Sequence, residues 1–302
     1  MSSMPANMQA PVDASRLPVT LPALAEKQRL GEPLVMVTAY DFPSARAAEA
    51  AVRGFCERHP GLVMSPVAVV IPALDEEACI RDVLAGIPDT YCGLAVDTIV
   101  VDDGSADATG EVARAHGALV ARREVNGGQG AAFRIGYRLA REHGARFIVT
   151  LDADGQWDPA DVPGVLAPVV AGEADLVLGS RVLGDAETQA RIRSLGVHVY
   201  SGLVRVLTGA RITDTSSGLR AMVAELTAVV PQHEPQYQAS ELLLGALACG
   251  YRVTERPVVM HERLAGESKK GHDVLYGLRY GRVLVRTWWR TRRSLAAAAA
   301  RS

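Results

Sequence analysis

The sequence predicts an α/β domain built on a mostly parallel sheet flanked by helices, followed by a C-terminal amphipathic helix. Three observations predict it. From Val67 onward, short unbroken apolar runs alternate with segments of helical period, the pattern of strands covered on both faces and joined by crossover helices. Two of those runs end in acidic motifs, Asp102-Asp103-Gly104-Ser105 and Asp152-Ala153-Asp154, where such sheets place their ligands. Residues 274–293 carry arginines at helical spacing opposite apolar side chains.

Taken in order, residues 1–17 are polar, proline-bearing and aperiodic, so they are expected to be disordered. Pro33 to Thr38 reads as a strand, Tyr40-Asp41 as a loop, and an alanine-rich helix begins near Ser44. A loop through Arg58, His59, Pro60 and Gly61 separates this unit from the regular part. Val67 to Ile71 is a β-branched buried strand, and Asp75 to Ala85 a helix with acids in its first turn, where the dipole favours them. Thr98 to Val101 is a strand, Ala108 to His116 a helix, and Leu119 to Ala121 a short strand. The glycine-rich Asn126 to Gly130 opens a helix from Ala131 to His143, and Phe147 to Leu151 is the next strand. Crossovers between these strands are expected to be right-handed. Asp175 to Leu178 is a further strand, after which the alternation loosens. Residues 189–208 and Glu241 to Cys249 read as helices, Asp214 to Arg220 as a polar loop, Arg252 to Val259 as a late strand, and Ala296 to Ala300 as a frayed tail. The expected divisions are 1–62, an appended segment; 63–270, the sheet domain; and 271–302, the basic helix and tail.

Composition bounds the function. The 302 residues are 48% hydrophobic and 22% charged, enough for a substantial core. A net charge of −2 argues against nucleic acid as a partner held by bulk electrostatics. Cys56, Cys79, Cys92 and Cys249 are scattered without a CxxC pair, which fits neither a zinc site nor a disulfide framework and implies a reducing compartment. The N-terminus lacks a secretory pattern, and no apolar run reaches the ~18 residues that cross a bilayer. A cytoplasmic chain, at most peripheral on the cytoplasmic face of the membrane, is the expectation.

The chemistry concentrates at strand ends. Asp152 and Asp154, one residue apart on a turn, can both reach one hard cation, and Mg²⁺ or Mn²⁺ prefers such oxygen ligands and completes its shell from water and a diphosphate. Two like charges together at a sheet edge also call for a compensating cation. The Asp102 to Ser105 motif can accept bonds from a base or ribose, although Ser105 or Asp107 can equally serve as a helix N-cap. Asn126 to Gly130 offers backbone N–H groups to an anion, or is a plain tight turn; it has neither the Walker lysine nor the Rossmann spacing.

Val70-Ile71-Pro72-Ala73-Leu74-Asp75-Glu76-Glu77, Val101 to Ser105, Asn126 to Ala132, Asp152-Ala153-Asp154-Gly155-Gln156 and Asp214 to Arg220 occur in the order seen in family 2 glycosyltransferases. Over about Val67 to Lys270 the chain most resembles the branch of dolichyl-phosphate mannose synthases and polyprenyl-phosphate glycosyltransferases. The resemblance implies a GT-A (nucleotide-diphospho-sugar transferase) fold and an inverting, metal-dependent hexosyltransferase taking a UDP- or GDP-linked sugar. It implies that Pro72, Ala73, Glu76 and Asp103 hold the nucleotide, and that Asp152 and Asp154 hold the metal, with Gln156 beside them. Arg181, in Gly179-Ser180-Arg181, and Arg193 match arginines that meet an acceptor phosphate. Ser217, Gly218 and Arg220 resemble the loop under the sugar, and Arg263, Ser268 and Lys269 the late basic segment that closes over the diphosphate. Leu74-Asp75 stands where Tyr-Asn is usual, and Trp157 where His is frequent. The Gln-x-x-Arg-Trp motif of processive synthases is absent, so polymerisation is not expected.

A lipid-phosphate acceptor is already ionised near neutral pH and needs positioning by Arg181 and Arg193 rather than a strong base. A hydroxyl acceptor on a small molecule or glycan would need one, for which Asp214 is the nominee. A sugar nucleotidyltransferase would need a basic glycine-rich loop after the first strand, where Pro72 to Glu77 is acidic. A non-catalytic binding module would bind nucleotide without turnover, and the intact Asp152/Asp154 pair does not suggest it.

In the last segment Arg279, Arg282, Arg286 and Arg290 share one face, with Leu278, Leu284, Val285, Trp288 and Trp289 opposite. Such a helix suits a membrane surface, or packs on the domain with its arginines in water. Leu21-Pro22-Ala23-Leu24 and Val35 to Arg46 are similar to the start of ketopantoate hydroxymethyltransferases, (β/α)₈ barrels of which one unit alone cannot close. Residues 1–62 are therefore expected to be loosely attached and dispensable for transfer.

Overall fold

A computed structural model of the chain describes residues 42–184, 190–234, 236–263 and 274–299. The chain divides into two units, Met1–Val37 and Thr38–Ser302. Residues 1–41, among them the first unit, the expected strand Pro33 to Thr38 and the Tyr40-Asp41 loop, lie outside the described residues.

The second unit is an α/β fold on one eight-stranded sheet. Its elements begin with α1 (Phe42–Arg58), β1 (Val67–Ala73), α2 (Glu77–Ala85), β2 (Thr90–Tyr91) and β3 (Leu94–Asp102). Next come α3 (Thr109–Ala115), β4 (Leu119–Arg122), α4 (Gln129–Glu142), β5 (Phe147–Thr150), α5 (Val162–Val170) and β6 (Leu176–Ser180). The chain continues through α6 (Ala190–Thr208), β7 (Arg220–Val223), α7 (Leu226–Val229), α8 (Gln238–Ala248), β8 (Val253–Pro257) and α9 (Val274–Ala299). The sheet runs β3-β1-β5-β7-β6-β8, with β4 and β2 both paired to β3. The β4-β3-β1-β5 part is parallel, whereas β7 runs antiparallel to both β5 and β6.

β7 corrects the sequence reading. Arg220 was expected to end a polar loop; it opens a four-residue strand, opposite Thr150 on one side and Leu178 on the other. Because β7 is reversed, its N-terminal end lies at the same sheet edge as the carboxyl ends of β1, β3, β5 and β6. The loop before β7 is thereby delivered to the site.

Side chains alternate along each strand, so β1 feeds two cores. Ala68 and Val70 pack with α1 and α4, while Val67, Val69 and Ile71 pack with α2, α3 and α5. At Gly136 of α4 a Cβ would run into Val70, so only glycine lets that helix lie close on the sheet.

The expected boundary at residue 62 is also corrected. Ala48, Ala51, Val52 and Phe55 of α1 are buried in the first core, and Arg58 donates to the Val120 carbonyl (3.0 Å). Arg138 of α4 pairs with Glu49 at 3.0 Å. This helix is an integral wall of the domain, and removing residues 1–62 would open the core over α4. Phe55→Ala is expected to cost about 3–5 kcal/mol in urea denaturation; a loss below about 1 kcal/mol would show α1 to be peripheral after all.

Helix α9 runs through Ala299, past the point where fraying was expected. It lies on α6 and α8, and its faces differ from the two stripes read in the sequence. Leu284 is fully buried, Tyr280 sits edge-on to Tyr200, and the Trp288 indole donates to the Leu207 carbonyl (2.7 Å). Val285 and Trp289, grouped with these in the sequence, point outward, while Arg290 turns inward onto the buried Glu241. The side chains of Leu278 and Arg279 lie outside the described residues. Among the described residues no helix is long and apolar enough to cross a membrane.

Candidate active site

One edge of the sheet gathers most of the expected residues. Pro72 and Ala73 end β1 and are buried; Glu76 follows, its backbone N–H donating to the Thr109 hydroxyl (2.9 Å). Asp103 follows β3, its N–H donating to the Ala73 carbonyl (2.9 Å), which fixes it beside the end of β1.

Asp103 is almost fully buried and forms an ion pair with Arg123, also buried. It further accepts from the Gly127 N–H at 3.1 Å. Burial pushes its carboxyl above the usual carboxylate range; the Arg123 charge and the Gly127 N–H pull the other way without cancelling it. The loop Asn126 to Gly130 is therefore a strut for Asp103 at Gly127, whose N–H is not left for an anion. A Cβ at Gly127 would collide with the Arg123 guanidinium, which accounts for glycine there.

Asp152 and Asp154 follow β5, as expected. Asp152 accepts from the Gln129 amide through Oδ1 (2.9 Å) and from the Trp157 indole through Oδ2 (3.0 Å). Asp154, nearly buried, accepts from the Gln156 N–H (3.1 Å) and pairs with Arg263 at 2.7 Å. Arg263 also reaches Glu76 at 3.5 Å, bridging the nucleotide-side acid and the second aspartate. Gln156 is tied to the same segment, its carbonyl accepting from the His261 N–H (2.9 Å).

Two oxygen donors side by side, with a guanidinium supplying the positive charge at one of them, are a donor set suited to Mg²⁺ or Mn²⁺. Among the described residues no group of three or more His, Cys, Asp or Glu could hold a metal.

Arg181 follows β6 and is clamped by Asp214, Nε to Oδ2 at 2.6 Å and a terminal nitrogen to Oδ1 at 2.8 Å, with a further bond to the Ser216 hydroxyl (2.9 Å). Its carbon lies 5.7 Å from the centre of the Trp157 ring. Burial alone would lower its pKa, but the Asp214 charge and hydrogen bonds outweigh it and raise the value, so it is a permanent cation. Asp214 is fully buried with both oxygens engaged. It is the counter-ion of Arg181, and its nomination as a free base for a hydroxyl acceptor is corrected accordingly.

The expected acceptor loop divides. Gly218 lies against the aspartates: a Cβ there would collide with Asp152 and the Trp157 indole nitrogen. Ser217 is buried with its hydroxyl on the Leu219 carbonyl (3.1 Å). Arg220 is buried behind the sheet, donating to Gln238 (3.3 Å) and stacked 5.2 Å from the Phe133 ring centre. It packs the core beneath the loop. Arg193 lies on α6 with its side chain outside the described residues, and Ser268 and Lys269 lie outside them altogether.

Sequence reasoning did not find Gln129, Arg123 or the hydrogen-bonding role of Trp157. Gln129 carried a signal, since it sits in the glycine-rich motif at a helix start; Arg123, in a run of two arginines, reads by type as exposed.

The sequence model of "Glycosyl transferase family 2" matches residues 68–226. The chain is 35% identical over 203 residues to a dolichyl-phosphate hexose transferase of Haloferax volcanii, covering 67% of this chain and 86% of that one. It is 29% identical over 223 residues to an undecaprenyl-phosphate mannosyltransferase of Micrococcus luteus, covering 69% and 89%. In fold it is similar to glucosyl-3-phosphoglycerate synthase of Mycobacterium tuberculosis, solved with Mn²⁺, UDP and glucosyl-3-phosphoglycerate. That match has a TM-score of 0.59 at 22% identity and covers 85% of this chain and 86% of that one.

Proposed function

The chain belongs to glycosyl transferase family 2, and from that premise we propose that it moves a sugar from a UDP- or GDP-linked donor to a polyprenyl phosphate, inverting the anomeric carbon. The observation that carries this reading is the convergence of Asp103, Asp152, Asp154, Arg263 and the Arg181–Asp214 pair at one sheet edge. The relatives that act on dolichyl and undecaprenyl phosphates support the acceptor class.

Pro72, Ala73, Glu76 and Asp103 are proposed to line the nucleotide side. Asp152 and Asp154, with Gln156 beside them, would hold Mg²⁺ or Mn²⁺, whose chemistry when bound is to neutralise charge growing on the departing diphosphate. Arg263, with Ser268 and Lys269, is assigned to the diphosphate; its bonds to Glu76 and Asp154, residues assigned to the nucleotide and to the cation, support that assignment. Arg181 is assigned to the acceptor phosphate together with Arg193. Asp214 and Ser216 fix the guanidinium, which orients the phosphate by charge-assisted hydrogen bonds. A phosphate oxygen forms the new bond to the anomeric carbon as the carbon–oxygen bond to the diphosphate breaks. That oxygen is already ionised, so no general base is required, in keeping with Asp214 being engaged. The reaction is assigned to the cytoplasmic face of a membrane.

The test is incubation of the purified chain with radiolabelled nucleotide sugars, Mn²⁺ or Mg²⁺, and a polyprenyl phosphate. Label passing into the organic phase, with chelator abolishing it, is the expected result. Label transferred only to water-soluble hydroxyl acceptors would overturn the acceptor assignment, and no transfer from any donor would overturn the reading.

Gly218 offers a sharper check. Gly218→Ala would push Asp152 off its bonds to Gln129 and Trp157, and misplacement near 1 Å at a reacting centre costs on the order of 100-fold in rate. Initial transfer rates should fall by about that factor; a rate equal to wild type would mean that Asp152's orientation is irrelevant.

A further inference from the structure

Helix α9 has a second face that the catalytic reading does not use. Its inner face packs on the domain: Tyr280, Leu284 and Thr287 are buried, and Arg290 is paired with Glu241 and, at 3.8 Å, with Glu234. Outward, Val285 is 46% and Trp289 53% exposed, one helical turn apart, with exposed Arg282, Arg286 and Arg292 around them. On α6, which packs against α9, Val199 and Val206 are 59% and 83% exposed.

Charge selects the occupant. Residues 274–302 contain no aspartate or glutamate, while arginines stand at 279, 282, 286, 290, 292, 293 and 301. The protein as a whole carries −2, so the cationic surface is local. A second copy seated on this face would set arginines against arginines, which is repulsive. A surface of dense negative charge with an apolar layer just beneath it matches both features. Arginines extend their charged ends to phosphates while their stems and an indole rest at the headgroup level.

We propose that the outward face of α9, with α6 beside it, docks on the surface of an anionic bilayer. Val285 and Trp289 enter the boundary between headgroups and acyl chains, and Arg282, Arg286 and Arg292 sit among the lipid phosphates. This goes beyond the donor and acceptor assignment, because it concerns a surface outside the sheet-edge site. The same helix is joined to the site: the Tyr280 hydroxyl bonds the Thr215 hydroxyl at 2.8 Å and also bonds Ser240. Thr215 lies in the loop that carries Asp214 and Gly218, so the docking face and the acceptor loop are fixed to one another.

The experiment needs no sugar donor, so its failure is distinct from failure of the transferase reading. The full chain is sedimented with phosphatidylcholine vesicles, alone or containing roughly a third phosphatidylglycerol, over a salt series. Binding to the anionic vesicles only, weakening as salt rises, is expected. The double variants Val285→Ser/Trp289→Ser and Arg282→Gln/Arg286→Gln should each lower the bound fraction at least about tenfold. All four side chains are substantially exposed, and unchanged circular-dichroism melting will confirm that the fold is kept. The proposal is overturned if wild type ignores anionic vesicles, binds neutral ones equally, or if the Val285/Trp289 variant binds as wild type does. It is also overturned if sedimentation equilibrium shows a dimer that the same variant dissociates. Should a double variant fail to fold, the salt and lipid series on wild type decides alone.

Discussion

Asp152→Asn is expected to lower sugar transfer by about 10³-fold or more while leaving the protein folded. The carboxylate is one of only two side chains proposed to hold the cation, and Lewis-acid stabilisation of a leaving group is worth several kcal/mol, each 1.36 kcal/mol being tenfold in rate. The amide replaces the charge but not the shape. Its oxygen can still accept from Gln129 or Trp157, which hold the present carboxylate at 2.9 and 3.0 Å. The melting temperature should therefore move little, and the loss should appear in kcat at saturating donor. Asp154→Asn should behave similarly in transfer, with the added effect of freeing Arg263 from its 2.7 Å pair. Initial rates with labelled donor, with and without chelator, measure this. If Asp152→Asn turned over donor at the wild-type rate in the presence of chelator, the metal-assisted assignment would fail.

Arg123→Ala should be the most destabilising single change at the nucleotide side, by about 3–5 kcal/mol, because it strands a buried carboxylate. Asp103 has nowhere to rotate: its N–H is fixed on the Ala73 carbonyl and its side chain on Gly127. The pH dependence is diagnostic. Burial already holds the Asp103 pKa above its ordinary value even with Arg123 present, and losing the guanidinium can only raise it further. A carboxyl whose folded pKa lies above its unfolded one contributes stability that is complete below the unfolded pKa and is lost as pH rises through the folded pKa. The deficit of Arg123→Ala against wild type should therefore be small near pH 4 and grow toward neutral pH, a window of about the carboxylate pKa upward. Denaturant titrations at a series of pH values read it out. Changing the pair together, Asp103→Asn with Arg123→Met, should recover much of the loss, since no unpaired charge remains. A deficit independent of pH would mean that Arg123 acts by filling space alone.

Both predictions rest on partners of unequal visibility. Asp152 and Asp154 announce themselves: two acids straight after a β-branched run need only local rules to be placed at a strand's carboxyl end. Asp103 was found in the same way. Arg123 was not, because a surface arginine and a buried one are the same letter, and burial is decided by what folds over it. Gly127 shows the point from the other side. Its local signal was a turn or an anion loop, whereas its N–H in fact serves Asp103. Asp214 and Arg220 were assigned by motif position; only the fold shows them buried and bonded to Arg181 and Gln238.

By itself the sequence determined the alternating strands and helices, the acidic ends of β3 and β5, and the presence of a basic amphipathic helix at the C-terminus. These are properties of neighbouring residues: side-chain period, turn chemistry and strand length repeat within a few positions of the chain. Tertiary structure alone decided that β7 runs backward between β5 and β6, that α1 belongs to the core, and which side of α9 meets the protein. It also decided the pairs Arg181–Asp214 and Arg263–Asp154, which join residues far apart in the chain. Strand direction and burial depend on competition among all the apolar surfaces to be covered at once, and that competition leaves no mark on the local pattern of any one segment.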